Sequence, residues 1–461
     1  MRATAVGEGG ERAAGEGAPR GGFGGQPAEL RTLFLTEMWE RFSYNGLRTL
    51  LMLYMSSPLE RGGLGWTLGQ AGTAYGSYAM AAYLANLPGG WVADRWLGPV
   101  RAVMVGGVLI VLGHVSLAFH ALPFFYGGLG LVVVGTGLLK VNCTSLVGSL
   151  YGPDDHRRDA GFSIYYMGIN LGASLAPLVC GALAARFGWH AGFGAAGIAM
   201  ACGLAQFVVR RDRFGAAGAA RATRTPRAGS KGHDEAPSGG KGERRRVIAL
   251  LWLVAAATLF WAIFDQMSTT LTLFAERHTR RVAFGVDFPA GWYQSLNPIF
   301  LLALTPFFTA LWGWLGPRQP SSPIKFAFGL WGVALGMALL VPAARLAEGG
   351  PVSPWWLVLL YFSYSCGELC LSPVGQSAVT RVAPKRLAGL MLGVWFLSIA
   401  VGSRISGASA ALFEQVPLPT LFSIMAALGA LGGVIMLVAA PALVRLMEGE
   451  RPPTPGAVEE R

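Results

Sequence analysis

The chain has 461 residues, 53% apolar and only 13% charged, about half the charged share of a soluble domain, which excludes a water-soluble protein of this size. The formal net charge of +12 does not point to nucleic acid, because the excess lies in short loops and in the Gly/Ala/Ser/Pro-rich stretch from Arg210 to Arg246, where positive charge acts as a membrane-topology signal. Cys143, Cys180, Cys202, Cys366 and Cys370 fall inside or at the ends of apolar segments without metal-ligand spacing and read as packing residues, with no metal expected.

Residues 1–28 are rich in Gly, Ala and charge and lack the apolar core of a signal peptide, so they read as a disordered cytoplasmic tail. Apolar blocks of about 20 residues or more, enough for a helix to cross about 30 Å of hydrocarbon, then give candidate spans at 31–56, 69–92, 101–121, 123–150, 160–186 and 190–210. A basic cytoplasmic linker follows at 211–246, then spans at 247–276, 291–315, 324–343, 354–380, 386–412 and 418–446, and a tail at 447–461. The pattern predicts an all-α membrane protein of twelve transmembrane helices in two six-helix bundles, 29–210 and 247–446, a plan that resembles the major facilitator architecture with its midplane site between the halves.

The loops Asp94–Arg101, Asp154–Asp159, the linker, Arg318–Lys325 and Arg381–Arg386 lie on one side and are rich in Lys and Arg, whereas the opposite loops are poor in charge except at Arg277, Arg280 and Arg281. This asymmetry puts both termini in the cytoplasm and the chain in the cell (inner) membrane.

Ionisable groups inside spans are costly unless they face a partner or a wet cavity. In the first span Glu37, Glu40, Arg41, Tyr44 and Arg48 fall within one stripe of about 100° at 100° per residue, and a stripe so charged must face the bundle interior. It reads as a working site or as a static ion-pair network between spans. Lys140 lies more than halfway along the fourth span, with Asn142, Thr144 and Ser145 after it. Asp265 lies deep in the seventh and Glu368 midway along the tenth. Each is a candidate for the central site. Bundle-facing groups then comprise four carboxylates and three cations, leaving one acid short of a partner. Asp265 is the first candidate for that proton carrier, exchanging partners with Arg41 as the halves rock.

No P-loop, H-E-x-x-H or G-x-S-x-G pattern occurs, which argues for secondary transport and against an enzyme. The loop Gly90-Trp-Val-Ala-Asp94-Arg95-Trp-Leu-Gly98-Pro-Val-Arg101 resembles the G-x-x-x-D-R-x-x-G-x-[RK] signature of the major facilitator superfamily. That resemblance implies a gating loop in which Asp94, Arg95 and Arg101 latch the halves while the glycines permit close helix approach.

The segment Glu37-x-x-Glu40-Arg41-Phe-Ser-Tyr44 resembles the E-x-x-E-R-F-x-Y-Y-G motif of the proton-dependent oligopeptide transporter family. Gly161-Phe-Ser-Ile-Tyr165-Tyr-Met-Gly-Ile-Asn170-Leu-Gly172, Gln294-Ser-Leu-Asn297-Pro298, Gly367-Glu368-Leu-Cys-Leu-Ser-Pro373-Val-Gly375 and Trp395-Phe396-Leu-Ser extend the likeness from about Leu33 to Leu446. The resemblance implies proton-coupled symport of di- and tripeptides by alternating access, without a cofactor and in a single chain. It implies that Glu37 and Glu40 work with Arg41 in proton coupling, and that Lys140 pairs with a carboxylate and helps hold the peptide C-terminus beside Arg41 and Arg48. Asn170, Asn297 and Glu368 would hold the amino group, and Tyr44, Tyr83, Trp261 and Trp395 would wall the side-chain pockets. The residues alone point the same way: a cationic cluster in one half faces an acid with amide partners in the other, a dipole matched to a zwitterion. A carrier of nitrate or a peptide-like metabolite is the alternative within the same fold. The chain departs from the family pattern at Asn45, which replaces the second Tyr, at Asp265, where Glu is commoner, and in its polar linker, where many bacterial members have two extra helices.

Overall fold

Among the described residues of the computed structural model, ten helices are long and apolar enough to cross a membrane. The two that complete the set of twelve fall short for different reasons. The first span (Ala28–Ser56) carries Glu37, Glu40, Arg41 and Arg48 in its middle, and the second is divided at Ala85 into Leu68–Leu84 and Asn86–Val92. The structure describes residues 25–152, 155, 157–214, 241–283, 285–384 and 387–448; most of the two expected tails and of the expected basic linker lies outside the described residues.

The third to sixth spans are Pro99–Ser116, Leu122–Ser149, Arg158–Phe187 and Trp189–Arg210. The seventh is broken: Lys241–Phe264, a 3-10 turn over Asp265–Ser268, and Thr270–His278. A hairpin of two short strands, Val282–Ala283 and Val286–Asp287, precedes a 3-10 segment, Ala290–Ser295, and the eighth span, Leu296–Leu315. Ser322–Ala347, Trp355–Val382, Ala388–Ser409 and Leu418–Glu448 form the ninth to twelfth.

The two breaks have local causes. Pro88 cannot donate a hydrogen bond back to Leu84, so the second span restarts at Asn86. The seventh span loses its helical ladder at Thr269, and Gln266 fills the gap: its Oε1 accepts from the Thr269 and Thr270 hydroxyls at 3.1 and 2.6 Å, and its Nε2 donates to the Ala262 carbonyl and Ser409 Oγ at 3.0 and 2.8 Å. Side chains also donate to backbone carbonyls beside the break, Thr272 to Met267 at 2.7 Å and Tyr364 to Ile263 at 3.1 Å, the kind of internal partner a break at membrane depth needs.

The first six spans pack among themselves, first on fifth and sixth and third on fourth, and the last six likewise, ninth on tenth and twelfth and seventh on eleventh. Two packed seams join the halves: second span on eleventh, and fifth on the eighth with the turn before it. The first seam depends on small residues, since a Cβ on Gly72 would come within 2.1 Å of the Gly407 carbonyl oxygen. Outward-facing apolar side chains such as Phe307 and Val438 stand more than three-quarters exposed, the surface that lipid covers.

Candidate functional site: a charged cavity between the bundles

The turn spacing of the first span aims its ionisable groups inward, and Glu37, Glu40 and Arg41 are all buried. Arg41 is gripped by its neighbour: Nε contacts Glu40 Oε2, and the second guanidinium nitrogen donates to Glu40 Oε1 at 2.6 Å. Glu37 Oε1 lies 3.6 Å from Arg41 Nε, and Glu37 Oε2 accepts from the Tyr165 hydroxyl of the fifth span at 2.8 Å. The Arg41 guanidinium also sits 4.7 Å from the centre of the Tyr44 ring. The paired charges are therefore fully desolvated, so removing one partner would strand the other.

Two turns further along, Arg48 bridges the halves. It forms an ion pair with Asp265 at the break of the seventh span, donates from Nε to the Tyr75 hydroxyl at 2.5 Å, and Tyr75 in turn donates to Asp265 Oδ2 at 3.4 Å. Asp265 was expected to be the acid short of a full partner, meeting Arg41 as the halves rock; it is instead paired with Arg48, and Glu368 is the acid for which no ion pair forms among the described residues. Seven residues, about 10 Å along a helix, separate Arg41 from Arg48, and Glu40 already occupies Arg41, so the pair forms with Arg48 instead.

Around this bridge the halves are clasped by neutral groups. Thr49 donates to Gln294 Oε1 at 3.2 Å, Gln294 Nε2 donates to Thr272 at 2.9 Å, and Trp292 Nε1 donates to the Leu178 carbonyl at 3.0 Å. All lie toward the end of the molecule away from Ala28 and Glu448. At the other end no packed interface between the fourth and tenth spans forms among the described residues, and Trp91, Trp96 and Leu390 each stand more than half exposed. The halves are clasped at the first end, whereas at the end where the described chain begins and finishes their contact among the described residues is slighter, as where Leu87 abuts Gly393.

Lys140 faces this cavity without a carboxylate. Its ammonium lies 5.5 Å from the centre of the Tyr83 ring, and no ion pair forms to it among the described residues. The sequence led us to expect such a pair. Glu368, its counterpart in the other half, is held across the cavity by Asn297, whose Nδ2 donates to Glu368 Oε2 at 3.1 Å and to Ser365 Oγ at 3.0 Å. Arg41, Tyr44, Tyr83, Asn86 and Lys140 line one small recess of the cavity.

Other expected residues sit differently. Asn170 is buried and donates to the Tyr166 carbonyl within its own helix at 3.0 Å. Trp395 has no exposed surface and packs against Gly375 and Phe326, and Trp261 is wedged among Phe260, Phe264 and Gly402, so both act as core in this conformation. Asp94, Arg95 and Arg101 lie exposed around a π-helical turn at the less clasped end. Of the glycines there, Gly98 takes a positive φ of 74°, Gly90 touches only a Val141 methyl, and the close approach falls to Gly89, where a Cβ would come within 2.2 Å of the Gly137 oxygen. Tyr75 was not singled out, and Tyr165 and Gln294, though within the family motifs, were given no role. Tyr75, Tyr78 and Tyr83 lie at helical spacing on one face of the second span, a signal that could have been read.

A family model described as Major Facilitator Superfamily matches residues 41–403. Peptide transporter YePEPT of Yersinia enterocolitica is 37% identical, covering 84% of this chain and 88% of that protein. The Di-/tripeptide transporter of Lactococcus lactis subsp. cremoris is 33% identical, covering 92% and 97%. Among solved structures, the peptide transporter POT in complex with sulfate superposes with a TM-score of 0.84 at 39% identity, covering 94% of this chain and 98% of that one. A POT family transporter in complex with 5-aminolevulinic acid gives a TM-score of 0.82 at 30% identity, covering 92% and 98%.

Proposed function

This chain belongs to the proton-dependent oligopeptide transporter family of the Major Facilitator Superfamily, and on that premise we propose that it is a proton-coupled symporter of di- and tripeptides. It works by alternating access in the cell membrane, both termini in the cytoplasm, as a single chain driven by the proton gradient. The basic linker between residues 211 and 246 tethers the N-terminal bundle to the C-terminal one.

One observation supports this reading above the others: cations on the inner face of one half, Arg41, Arg48 and Lys140, oppose the Glu368–Asn297 pair of the other. A zwitterion spanning the cavity satisfies both ends. Lys140, lacking a carboxylate, takes the peptide C-terminus with Arg41, and Glu368 and Asn297, with Asn170 nearby, take the amino group. Tyr44 and Tyr83 bound the space left for side chains, and Trp261 and Trp395, core in this conformation, join them only when the halves move. The cycle then needs Arg41 to be released, and protonation of Glu37 or Glu40 weakens its grip. Asp94, Arg95 and Arg101 act in closing the less clasped end.

Binding to the purified protein tests the reading. A labelled dipeptide is displaced by its unmodified form, its C-terminal ester and its N-acetyl derivative. Each blocked end forfeits a charge-assisted hydrogen bond, about 1.5–3 kcal/mol, so each derivative is expected to compete at least about tenfold less well. Equal competition by all three removes the proposal. The bound ligand of the 5-aminolevulinic acid complex favours a second reading, a small amino acid with widely spaced charged ends; including it in the panel separates the two.

A further inference from the structure

The two oxygens of Glu37 are in different surroundings. Oε2 accepts the Tyr165 hydroxyl, whereas Oε1 accepts no hydrogen bond and faces Arg41. Tyr165 and Glu37 are both shielded from solvent. The Tyr165 hydroxyl has a second neighbour, Thr144 Oγ1 on the fourth span at 3.3 Å, and Thr144 spends its own proton on the Lys140 carbonyl at 3.1 Å. A phenol has one proton to give. It has two oxygen acceptors here, one on the proton-coupling span and one a turn beyond the lysine of the peptide site, with the weaker Cys143 sulfur beside both.

Resting on the symport reading above, we propose that Tyr165 is a positioning residue for coupling, which reports the charge of Glu37 to the fourth span. While Glu37 is ionised, the phenol donates to Oε2, because a hydrogen bond to a charged acceptor is the stronger one. When a proton adds to the vacant Oε1, Oε2 becomes a neutral carbonyl, and the phenol O–H rotates to donate to Thr144. No covalent bond to Tyr165 forms or breaks; only its torsion changes. The fourth span is thereby tied to the fifth more strongly when the carrier is loaded. The other charged or titratable groups facing Glu37 are Glu40 and Arg41 on its own span and Lys140 and Cys143 on the fourth; Tyr165 is the one from the fifth. On the sixth span the polar neighbour is neutral Gln206, which donates to Thr36.

Two isosteric variants test the proposal with opposite signs. Tyr165→Phe removes the donor that stabilises ionised Glu37, so protonation becomes easier, and the pH above which proton-driven dipeptide uptake falls away rises by about one unit. Thr144→Val removes the acceptor available when Glu37 is protonated, so that limb moves to lower pH. The KM for dipeptide at a pH where every form is protonated stays within about twofold in both. An infrared difference spectrum of the purified protein gives a readout independent of transport: the protonated-carboxyl C=O band that Glu37→Gln abolishes is shifted in Tyr165→Phe. Unmoved profiles, limbs that move in the same direction, or an unshifted carboxyl band overturn the proposal. Wild-type protein without gradient-driven uptake overturns the symport reading instead, and the infrared comparison still decides the Tyr165–Glu37 contact.

Discussion

Replacing Asp265 with Asn leaves the shape of the closed end intact and removes one charge. The carboxylate is paired with Arg48 and accepts from Tyr75, with the two ionic side chains only 14% and 5% exposed. Asparagine keeps an acceptor oxygen, so Arg48, which stays charged, exchanges an ion pair at the upper end of the range of about 1.5–3 kcal/mol for a single hydrogen bond at or below its lower end. The closed end loses about 1–2 kcal/mol, a factor of about 5–30 in the equilibrium against the opposite, outward-open state. The Thr49–Gln294 and Trp292–Leu178 bonds remain, so the closed population falls without vanishing. Spin labels at exposed Leu59 and Leu412, on opposite halves at that end, introduced after replacing the five cysteines, read the shift as a larger long-distance fraction in pulsed dipolar spectra. In liposomes Asp265→Asn keeps peptide counterflow and loses accumulation driven by a pH gradient, because an amide cannot load a proton. Unchanged distances together with protonophore-sensitive accumulation by the variant would refute both the latch and the assignment of Asp265 to coupling.

Two further outcomes follow from the geometry. Lys140→Ala removes the cation that lacks a carboxylate partner and is expected to weaken dipeptide binding by about tenfold to 150-fold, with a smaller preference for the free acid over its C-terminal ester than in wild type; isothermal titration of both ligands checks this. Gly72→Leu drives a side chain into the Gly407 carbonyl and separates the second span from the eleventh; transport and the melting temperature both fall, whereas Gly90→Ala, beside a lone methyl group, leaves both near wild type.

Span positions were legible because a helix must present about 20 apolar residues to hydrocarbon, and polar loops mark where each block stops. The first-span cluster was legible for a related reason: Glu37, Glu40 and Arg41 cannot face lipid, and all three are buried. Pairing was not legible. Whether Asp265 meets Arg41 or Arg48 depends on how far along the helix the halves touch, and Lys140 stands apart from Glu368 because the halves touch less at that end of the cavity. The break at Thr269 was not read either, although Asp265, Gln266, Ser268, Thr269 and Thr270 form a polar cluster there, because such a cluster suits an inward face of an intact helix equally well. Trp395 was expected from the resemblance to wall a side-chain pocket, yet its ring fills the space beside Gly375, a contact between spans that periodicity cannot report.

The central claim is that a proton gradient moves a zwitterionic peptide through this cavity, and the most direct measurement is dipeptide uptake into proteoliposomes made acidic outside and neutral inside. The account predicts accumulation above the external concentration, abolished by a protonophore and absent in Lys140→Ala. Uptake that merely equilibrates, or accumulation that survives the protonophore, would contradict it.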